Sequence, residues 1–156
     1  MIYGAEPVED RPGALLWRVG NSWQRRVRAA LAPLGLTHVQ FVLLAGLARL
    51  ARPGAEGPVT QARLARLCQV DPMMASQVLR TLERRGLLGR AAHATDTRAR
   101  SLSLTERGVR VLENASPLVV AVDAAFFTTL GADRPAFTAA LARLVGVKAR
   151  VRVPTR

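Results

Sequence analysis

The fold of this chain is decided by residues 71–105, which read DPMMASQVLRTLERRGLLGRAAHATDTRARSLSLT. Asp71 is a favourable helix N-cap, Pro72 suits the first helical position, and the glycine after the charged run ends the helix. Two short segments that read as strands, residues 87–89 and 100–104, then flank a polar, arginine-rich tip. The stretch therefore predicts a capped amphipathic helix followed directly by a β-hairpin.

Three more helices are predicted before this stretch. Apolar residues at three- and four-residue spacing indicate a long amphipathic helix over residues 13–32. Thr37 and Gln40 form a capping-box pattern at the start of a second, mostly apolar and therefore central helix. Thr60 caps a short third helix that ends near Leu67. Since only a short turn separates the third helix from the fourth, the pair predicts a helix-turn-helix, and the hairpin after it makes the motif winged.

Two further helices are predicted after the hairpin. Thr105 caps a fifth helix that continues to Leu130, and Asp133 caps a sixth that continues to about Val147. The predicted fold class is therefore mainly α with a small β-hairpin.

Charge and composition restrict the partners of the chain. The formal net charge is +12, and residues 60–110 alone carry ten Arg against four acidic residues. Such a concentration favours a polyanionic partner, nucleic acid first and an anionic membrane second. Cys68 is the single cysteine, so an intrachain disulfide is excluded and a cytoplasmic location is expected. The apolar runs are too short to span a bilayer, and the acidic first ten residues do not resemble a secretory signal.

The outer face of the fourth helix carries the chemistry for reading base pairs. An inner stripe of Ala75, Val78, Leu79 and Leu82 leaves five other side chains facing outward: Met73, Ser76, Gln77, Arg80 and Arg84. Gln pairs with adenine, Arg pairs with guanine, and Met packs on the thymine methyl group, whereas Ser76 and Arg84 also suit phosphate. These five residues are candidate DNA ligands, and the alternative is an ordinary solvated helix face.

The hairpin adds three arginines, Arg90, Arg98 and Arg100, around Asp96. An arginine at such a tip suits the narrow minor groove of double-stranded DNA, where the potential is most negative. Asp96 would be repelled by phosphate, so we interpret it as a brace that orients Arg98. A solvated charged turn is the alternative for this loop, and His93 in the same loop is expected to be a solvated residue.

Enzymatic and metal-binding functions find little support in the sequence. His38, Cys68 and His93 show no metal-ligand spacing, and no Gly-rich phosphate loop or nucleophile elbow occurs. No cofactor and no catalytic residue are therefore predicted. Two non-enzymatic alternatives stay open: a basic nucleoid-type protein that binds DNA without sequence preference, and a winged-helix module that binds other proteins.

The chain resembles the MarR-type (multiple antibiotic resistance regulator) winged-helix transcription factors over roughly residues 13–148. The matching segments have the family's order and spacing: Leu36-Thr37-x-x-Gln40-Phe41-x-x-Leu44, Thr60-Gln61-x-x-Leu64-Ala65, Ser76-Gln77-Val78-Leu79-Arg80-Thr81-Leu82-Glu83-x-x-Gly86-Leu87-Leu88-x-Arg90 and Asp96-Thr97-Arg98-Ala99-x-Ser101-Leu102-x-Leu104-Thr105-x-x-Gly108. In the family, the Asp-x-Arg pair of the wing has the bracing geometry that we assign to Asp96 and Arg98.

The resemblance implies a single subunit over residues 1–149 with a basic tail at 150–156. Within the subunit it implies a DNA-binding lobe at 37–105 and dimerisation helices at 13–35 and 106–148. The expected function is sequence-specific regulation, usually repression, by a homodimer on a pseudo-palindromic operator.

A small-molecule effector is a further expectation from the resemblance. Family effectors often occupy a crevice between the dimerisation helices and the DNA-binding lobe, so Trp17, His38 and Phe41 are candidate effector residues. For Trp17, packing in the dimer interface is the favoured alternative, and for His38 it is a plain surface position. The first helix lacks the reactive cysteine of the family's peroxide sensors, which disfavours peroxide sensing, and Cys68 is expected to be a buried structural residue.

Overall fold

A computed structural model describes residues 11–54, 57–92 and 100–147, which form a set of helices and one small antiparallel hairpin. The elements within these ranges are α1 (Pro12–Leu31), α2 (His38–Leu50), α3 (Gln61–Cys68), α4 (Pro72–Arg84), β1 (Leu88–Ala92), β2 (Arg100–Leu104), α5 (Glu106–Phe126) and α6 (Arg134–Leu144). Short 3-10 turns at Ala32–Leu34 and Thr128–Asp133 follow α1 and α5. The predicted fold class, mainly α with one hairpin, is confirmed.

Four helices begin at the capping residues that the sequence predicts. In each case the side-chain oxygen accepts from a backbone N–H of the first turn: Thr37 from Gln40, Thr60 from Arg63, Asp71 from Met73 and Met74, and Thr105 from Gly108. The Gln40 side chain also accepts from the Thr37 backbone N–H at 3.1 Å, which completes the predicted capping box. Each such cap contributes about 0.5–2 kcal/mol to helix stability, so these residues fix where the helices start.

The core forms around α2, as its apolar sequence predicts. Leu43, Leu44 and Leu47 are fully buried. Buried residues of the surrounding elements complete the cluster, among them Val27, Leu31, Leu64, Leu79, Leu82, Leu102 and Ala115. Helix α2 thus packs against both the helix-turn-helix and the long helices α1 and α5.

Gly46 allows α2 and α3 to approach closely. A Cβ atom at this position would overlap Cys68 Sγ and stand 3.0 Å from Leu64 Cδ1. The Cys68 thiol donates to the Val42 carbonyl at 3.5 Å. Burial raises the pKa of the Cys68 thiol, and nearby Arg49 only partly opposes this. A raised pKa disfavours the reactive thiolate, so Cys68 is a packing residue here.

Three predicted boundaries and one predicted cap are wrong, and one of these boundaries is the end of the sixth helix, which lies at Leu144 and not near Val147. The first strand covers Leu88–Ala92, so it starts one residue later and ends three residues later than predicted. The fifth helix ends at Phe126 and not at Leu130, since the chain tightens into the 3-10 turn and reverses at Gly131, where φ is +47°. Asp133 precedes α6 but makes no side-chain cap, because it already has helical backbone angles.

Candidate nucleic-acid interface

Helix α4 has one buried face and one exposed polar face, as the sequence predicts. Ala75, Leu79 and Leu82 are completely buried against the core, and Val78 is half-buried. On the opposite side Met73 is 75% exposed. Gln77, Arg80 and Arg84 are also exposed, and Ser76 is half-buried. The five predicted DNA ligands of α4 therefore share one side of the helix.

Two of these arginines are held along α4 by neighbouring hydroxyl groups. Arg80 Nη2 donates to Ser76 Oγ at 3.1 Å, and Arg84 Nη2 donates to Thr81 Oγ1 at 3.2 Å. A guanidinium group has five N–H donors, so one intrahelical bond leaves capacity for base edges or phosphate. The hydroxyl groups orient both arginines before any DNA arrives.

The turn between α3 and α4 fixes the angle at which α4 is presented. Gln69 adopts a left-handed conformation, with φ +51°, immediately after α3. The Val70 N–H donates back to the Ala65 carbonyl at 3.0 Å, and Asp71 then caps α4. This short connection makes α3 and α4 a helix-turn-helix in which α4 has the exposed position.

The hairpin lies beside the C-terminal end of α4. Strands β1 and β2 pair in antiparallel register, with Leu88 opposite Leu104 and Arg90 opposite Leu102. The Leu102 N–H also donates to the Val59 carbonyl at 2.8 Å, which attaches the hairpin to the segment before α3. Together the helices and the hairpin form a winged helix-turn-helix.

The structure gives only part of the predicted wing site. Arg90 Nε pairs with Glu83 Oε2 at 3.0 Å, and its side chain is only 16% exposed. Arg90 therefore joins the wing to α4, and its contact with DNA stays a prediction. Asp96, Arg98 and His93 lie outside the described residues, as does the side chain of Arg100, whose backbone belongs to β2.

A glycine and a threonine attach the wing to the start of α5. Thr105 Oγ1 donates to the Gly86 carbonyl at 2.7 Å, and Thr105 N donates to the Leu87 carbonyl at 3.2 Å. Gly108 is buried at this junction, where a Cβ atom would overlap the Leu87 carbonyl oxygen. The close approach places α5 directly against the end of α4.

Sequence reasoning missed Glu83 and Arg85 at this end of α4. Glu83 pairs with Arg90, and Arg85 Nη1 donates to the Gly35 carbonyl at 2.9 Å and to Gln40 Oε1 at 3.1 Å. The sequence contains one indication of this contact. Arg84 and Arg85 are adjacent, and only Arg84 is four residues from Arg80 and shares its outward face, so Arg85 must point elsewhere.

The three candidate effector residues do not come together as one cluster. Trp17 is 72% exposed on α1. It lines an open cavity of about 640 Å³ whose other lining residues include Arg25 and Phe126, whereas neither His38 nor Phe41 lines it. Phe41 packs against the edge of the core. Their role in effector binding stays a prediction.

A different tryptophan, Trp23, contacts His38. The two rings meet edge to face with centroids 5.0 Å apart, and Trp23 Nε1 donates to Asp123 Oδ1 at 2.6 Å. Burial lowers the pKa of His38, and the charge of Arg28 lowers it further, while Asp123 acts in the opposite direction. Trp23 of α1, His38 of α2 and Asp123 of α5 thus form a small polar cluster near the start of α2.

Neither a cluster of metal-ligand side chains nor a single membrane-spanning helix occurs in the described ranges. Residues 11–54, 57–92 and 100–147 contain no group of three or more His, Cys, Asp or Glu side chains placed to hold a metal ion. No single helix in these ranges has the length and hydropathy to cross a membrane. Two pairs of successive helices pass that test only when each pair is taken together, and each pair is bent by 79°.

Comparison with known proteins agrees with this architecture. Residues 34–121 match the ArnR1-like winged-helix domain family. The chain is 47% identical over 116 residues to the uncharacterized HTH-type transcriptional regulator YdcH of Bacillus subtilis, covering 74% of this chain and 78% of that protein. It is 39% identical over 128 residues to the HTH-type transcriptional repressor Rv2887 of Mycobacterium tuberculosis, covering 81% and 88%.

Solved structures give the same result. The MarR family protein Rv2887 in complex with salicylic acid superposes with a TM-score of 0.68 at 37% identity, covering 88% of this chain and 99% of that one. A mutant MarR of E. coli in complex with operator DNA superposes with a TM-score of 0.74 at 25% identity, covering 85% and 91%. The chain belongs to the MarR family of winged helix-turn-helix proteins. It is a DNA-binding transcriptional regulator.

Proposed function

We propose that this protein is a sequence-specific repressor that binds a pseudo-palindromic operator as a homodimer. The observation that carries the proposal is the outer face of α4, where Met73, Gln77, Arg80 and Arg84 are exposed on a helix whose other face is fully buried. These side chains can read base edges in the major groove, and Arg98 of the wing is assigned to the adjacent minor groove. Repression follows the name of the relative Rv2887.

The dimer is supported by apolar residues that the subunit leaves exposed. They lie on the three helices that the family resemblance assigns to dimerisation: Leu15, Leu16, Trp17 and Val19 on α1, Leu118 and Val120 on α5, and Leu144 with the following Val145 and Val147 at the end of α6. An exposed apolar surface of this extent marks an interface. A two-fold dimer would place two α4 helices one turn of DNA apart, about 34 Å between centres.

Selection of duplexes from a random library, followed by footprinting, tests the proposal and its alternatives. We expect one enriched motif with two related half-sites and two protected segments about 10 base pairs apart. Retention of DNA without an enriched motif would identify a nucleoid-type protein instead. Failure to retain DNA at all would favour a protein-interaction module.

We also propose a small-molecule effector that binds near His38 and Phe41, between α2 and the long helices. The support is the polar meeting point of Trp23, His38 and Asp123, together with the salicylic acid complex of Rv2887. An effector that prefers the DNA-free form must weaken operator binding, and by reciprocity the operator must weaken effector binding. Salicylate titrated into the protein–operator complex tests this, and His38→Ala should reduce the response while Arg49→Ala, an exposed charge in the last turn of α2, should not.

A further inference from the structure

Residues 83–86, at the end of α4 and directly after it, are hydrogen-bonded through side chains to three other parts of the chain. Glu83 pairs with Arg90 of β1, and the Gly86 carbonyl accepts from Thr105 at the start of α5. The third connection is made by Arg85, which reaches the turn between α1 and α2. The first two connections stay within the winged domain and the start of α5, whereas the third leads back to α1.

Arg85 bonds to both sides of the α1–α2 turn. Its Nη1 donates to the Gly35 carbonyl at 2.9 Å, where the chain leaves α1, and to Gln40 Oε1 at 3.1 Å, where α2 begins. Gln40 is only 9% exposed, and the same Oε1 accepts from the Thr37 backbone N–H. One guanidinium nitrogen therefore connects the end of α4 to Gln40 and Gly35, which are 45 and 50 residues away in the sequence.

The acceptors of Arg85 are held in place by the backbone. Gly35 has φ +61°, a conformation that favours glycine, and its N–H donates to the Ala32 carbonyl at 2.9 Å. Gln40 is fixed by the capping box of α2. Hydrogen bonds from a charged guanidinium are stronger than neutral ones, so Arg85 holds α4 against a rigid support.

Arg84 and Arg85 are adjacent but have different surroundings. Arg84 is exposed and bonds within its own helix, to Thr81 Oγ1 at 3.2 Å. Arg85 is half-buried and directed toward the turn. The two arginines therefore have the same charge but different contacts: Arg84 is exposed to solvent and available to DNA, whereas Arg85 bonds within the subunit. Arg84 is thus a matched control for Arg85.

We propose that Arg85 is a positioning residue that fixes α4 relative to α1 and so determines which half-site spacing the dimer accepts. This inference rests on the proposed function, because the spacing between two α4 helices has meaning only for a dimer on a two-part operator. Arg85 contacts no base in this account. It acts through the α1–α2 turn, which connects the dimerisation helix to the DNA-binding lobe.

The test compares full-length wild type, Arg85→Ala and Arg84→Ala on the selected operator and on versions with one or two base pairs added or removed between half-sites. Fluorescence anisotropy at several salt concentrations gives the affinity, the spacing preference and the salt slope. For Arg85→Ala we expect about tenfold weaker binding to the native spacing, a reduced preference among spacings and an unchanged salt slope. For Arg84→Ala we expect a salt slope lower by about one and the wild-type spacing preference.

Two results would overturn the inference. A salt slope that falls by about one in Arg85→Ala, with spacing preference intact, would make Arg85 a phosphate ligand. Wild-type behaviour of Arg85→Ala would show that the connection does not position α4. A wild type without any preference for the selected operator is a separate result, which removes the proposed function and this inference together.

Variants of Gln40 keep the test decisive if Arg85→Ala fails to fold. Gln40→Glu retains an acceptor for both Thr37 and Arg85, so it should keep the wild-type spacing preference. Gln40→Met removes that acceptor and should reduce the preference in the same direction as Arg85→Ala. Equal spacing preferences in Gln40→Glu and Gln40→Met would contradict the proposal.

Discussion

Replacing Gly108 with alanine should loosen the junction between the wing, α4 and α5. Gly108 lies in the first turn of α5, and an added Cβ would overlap the Leu87 carbonyl oxygen and stand 2.9 Å from its carbon. Both atoms belong to the backbone, so no side-chain rotation can relieve the overlap. Carbon-to-oxygen contacts normally begin near about 3.3 Å, so α5 must retreat by more than roughly 1 Å.

The cost follows from the hydrogen bonds that this retreat breaks. The Thr105 N–H to Leu87 carbonyl bond of 3.2 Å and the Thr105 Oγ1 to Gly86 carbonyl bond of 2.7 Å both cross the junction. Each contributes about 0.5–1.5 kcal/mol, and overpacking adds about 1–3 kcal/mol. The higher helix propensity of alanine offsets up to about 1 kcal/mol of this loss of stability. These contributions sum to a net loss of about 1–6 kcal/mol in the free energy of unfolding, with a central value of about 3 kcal/mol.

Urea unfolding of wild type, Gly108→Ala and Gly13→Ala measures this difference. Gly13 lies in the first turn of α1 with nothing within 4 Å of an added Cβ, so Gly13→Ala should leave stability nearly unchanged or slightly raised. Protein concentration must be constant, since the stability of a dimer depends on it. Equal unfolding midpoints for Gly108→Ala and wild type would refute the close packing described here.

Three other predictions concern assembly, the wing and pH. Sedimentation at micromolar concentration should show roughly twice the 16.8 kDa subunit mass, and a purely monomeric species would refute the dimer. Asp96→Asn should weaken operator binding in anisotropy titrations although it removes a negative charge, because we propose that Asp96 orients Arg98; tighter binding would mean that Asp96 is only a solvated turn residue. His38 has a lowered pKa in the folded chain, so the unfolded chain binds more protons and stability falls as pH drops below the ordinary value of 6.5. His38→Gln should flatten this decline in melting temperature, and an unchanged decline in His38→Gln would contradict the assignment.

The sequence predicted the features of the fold that depend on neighbouring residues. Thr37, Thr60, Asp71 and Thr105 are visible as caps because a helix start requires an acceptor within three residues. The two faces of α4 were also predicted, because helical periodicity separates apolar from polar positions. The end of α5 was predicted too late, because helical periodicity does not show where the chain tightens into a 3-10 turn. The start of α6 after Asp133 was predicted correctly, but the side-chain cap is absent.

The contacts that connect distant segments could not be predicted from local patterns. Arg85 meets Gly35 and Gln40 across 50 and 45 residues, and Trp23 meets Asp123 across 100. Such pairs depend on how the helices pack, and helical periodicity shows which residues face inward without showing which partner they meet. For the same reason Trp17 was grouped with His38, although Trp23 is the tryptophan that touches it.

The most direct test of the account is the ratio of affinities for the selected operator and a scrambled duplex at one salt concentration. We expect a ratio of about a thousandfold or more for wild type. Gln77→Ala and Arg80→Ala should each reduce this ratio by about 5- to 150-fold, equivalent to about 1–3 kcal/mol, because we propose that each side chain contacts a base. Arg49→Ala, which removes an exposed charge from the last turn of α2, should preserve the ratio. A ratio that stays at the wild-type value in both α4 variants would show that α4 does not read the operator.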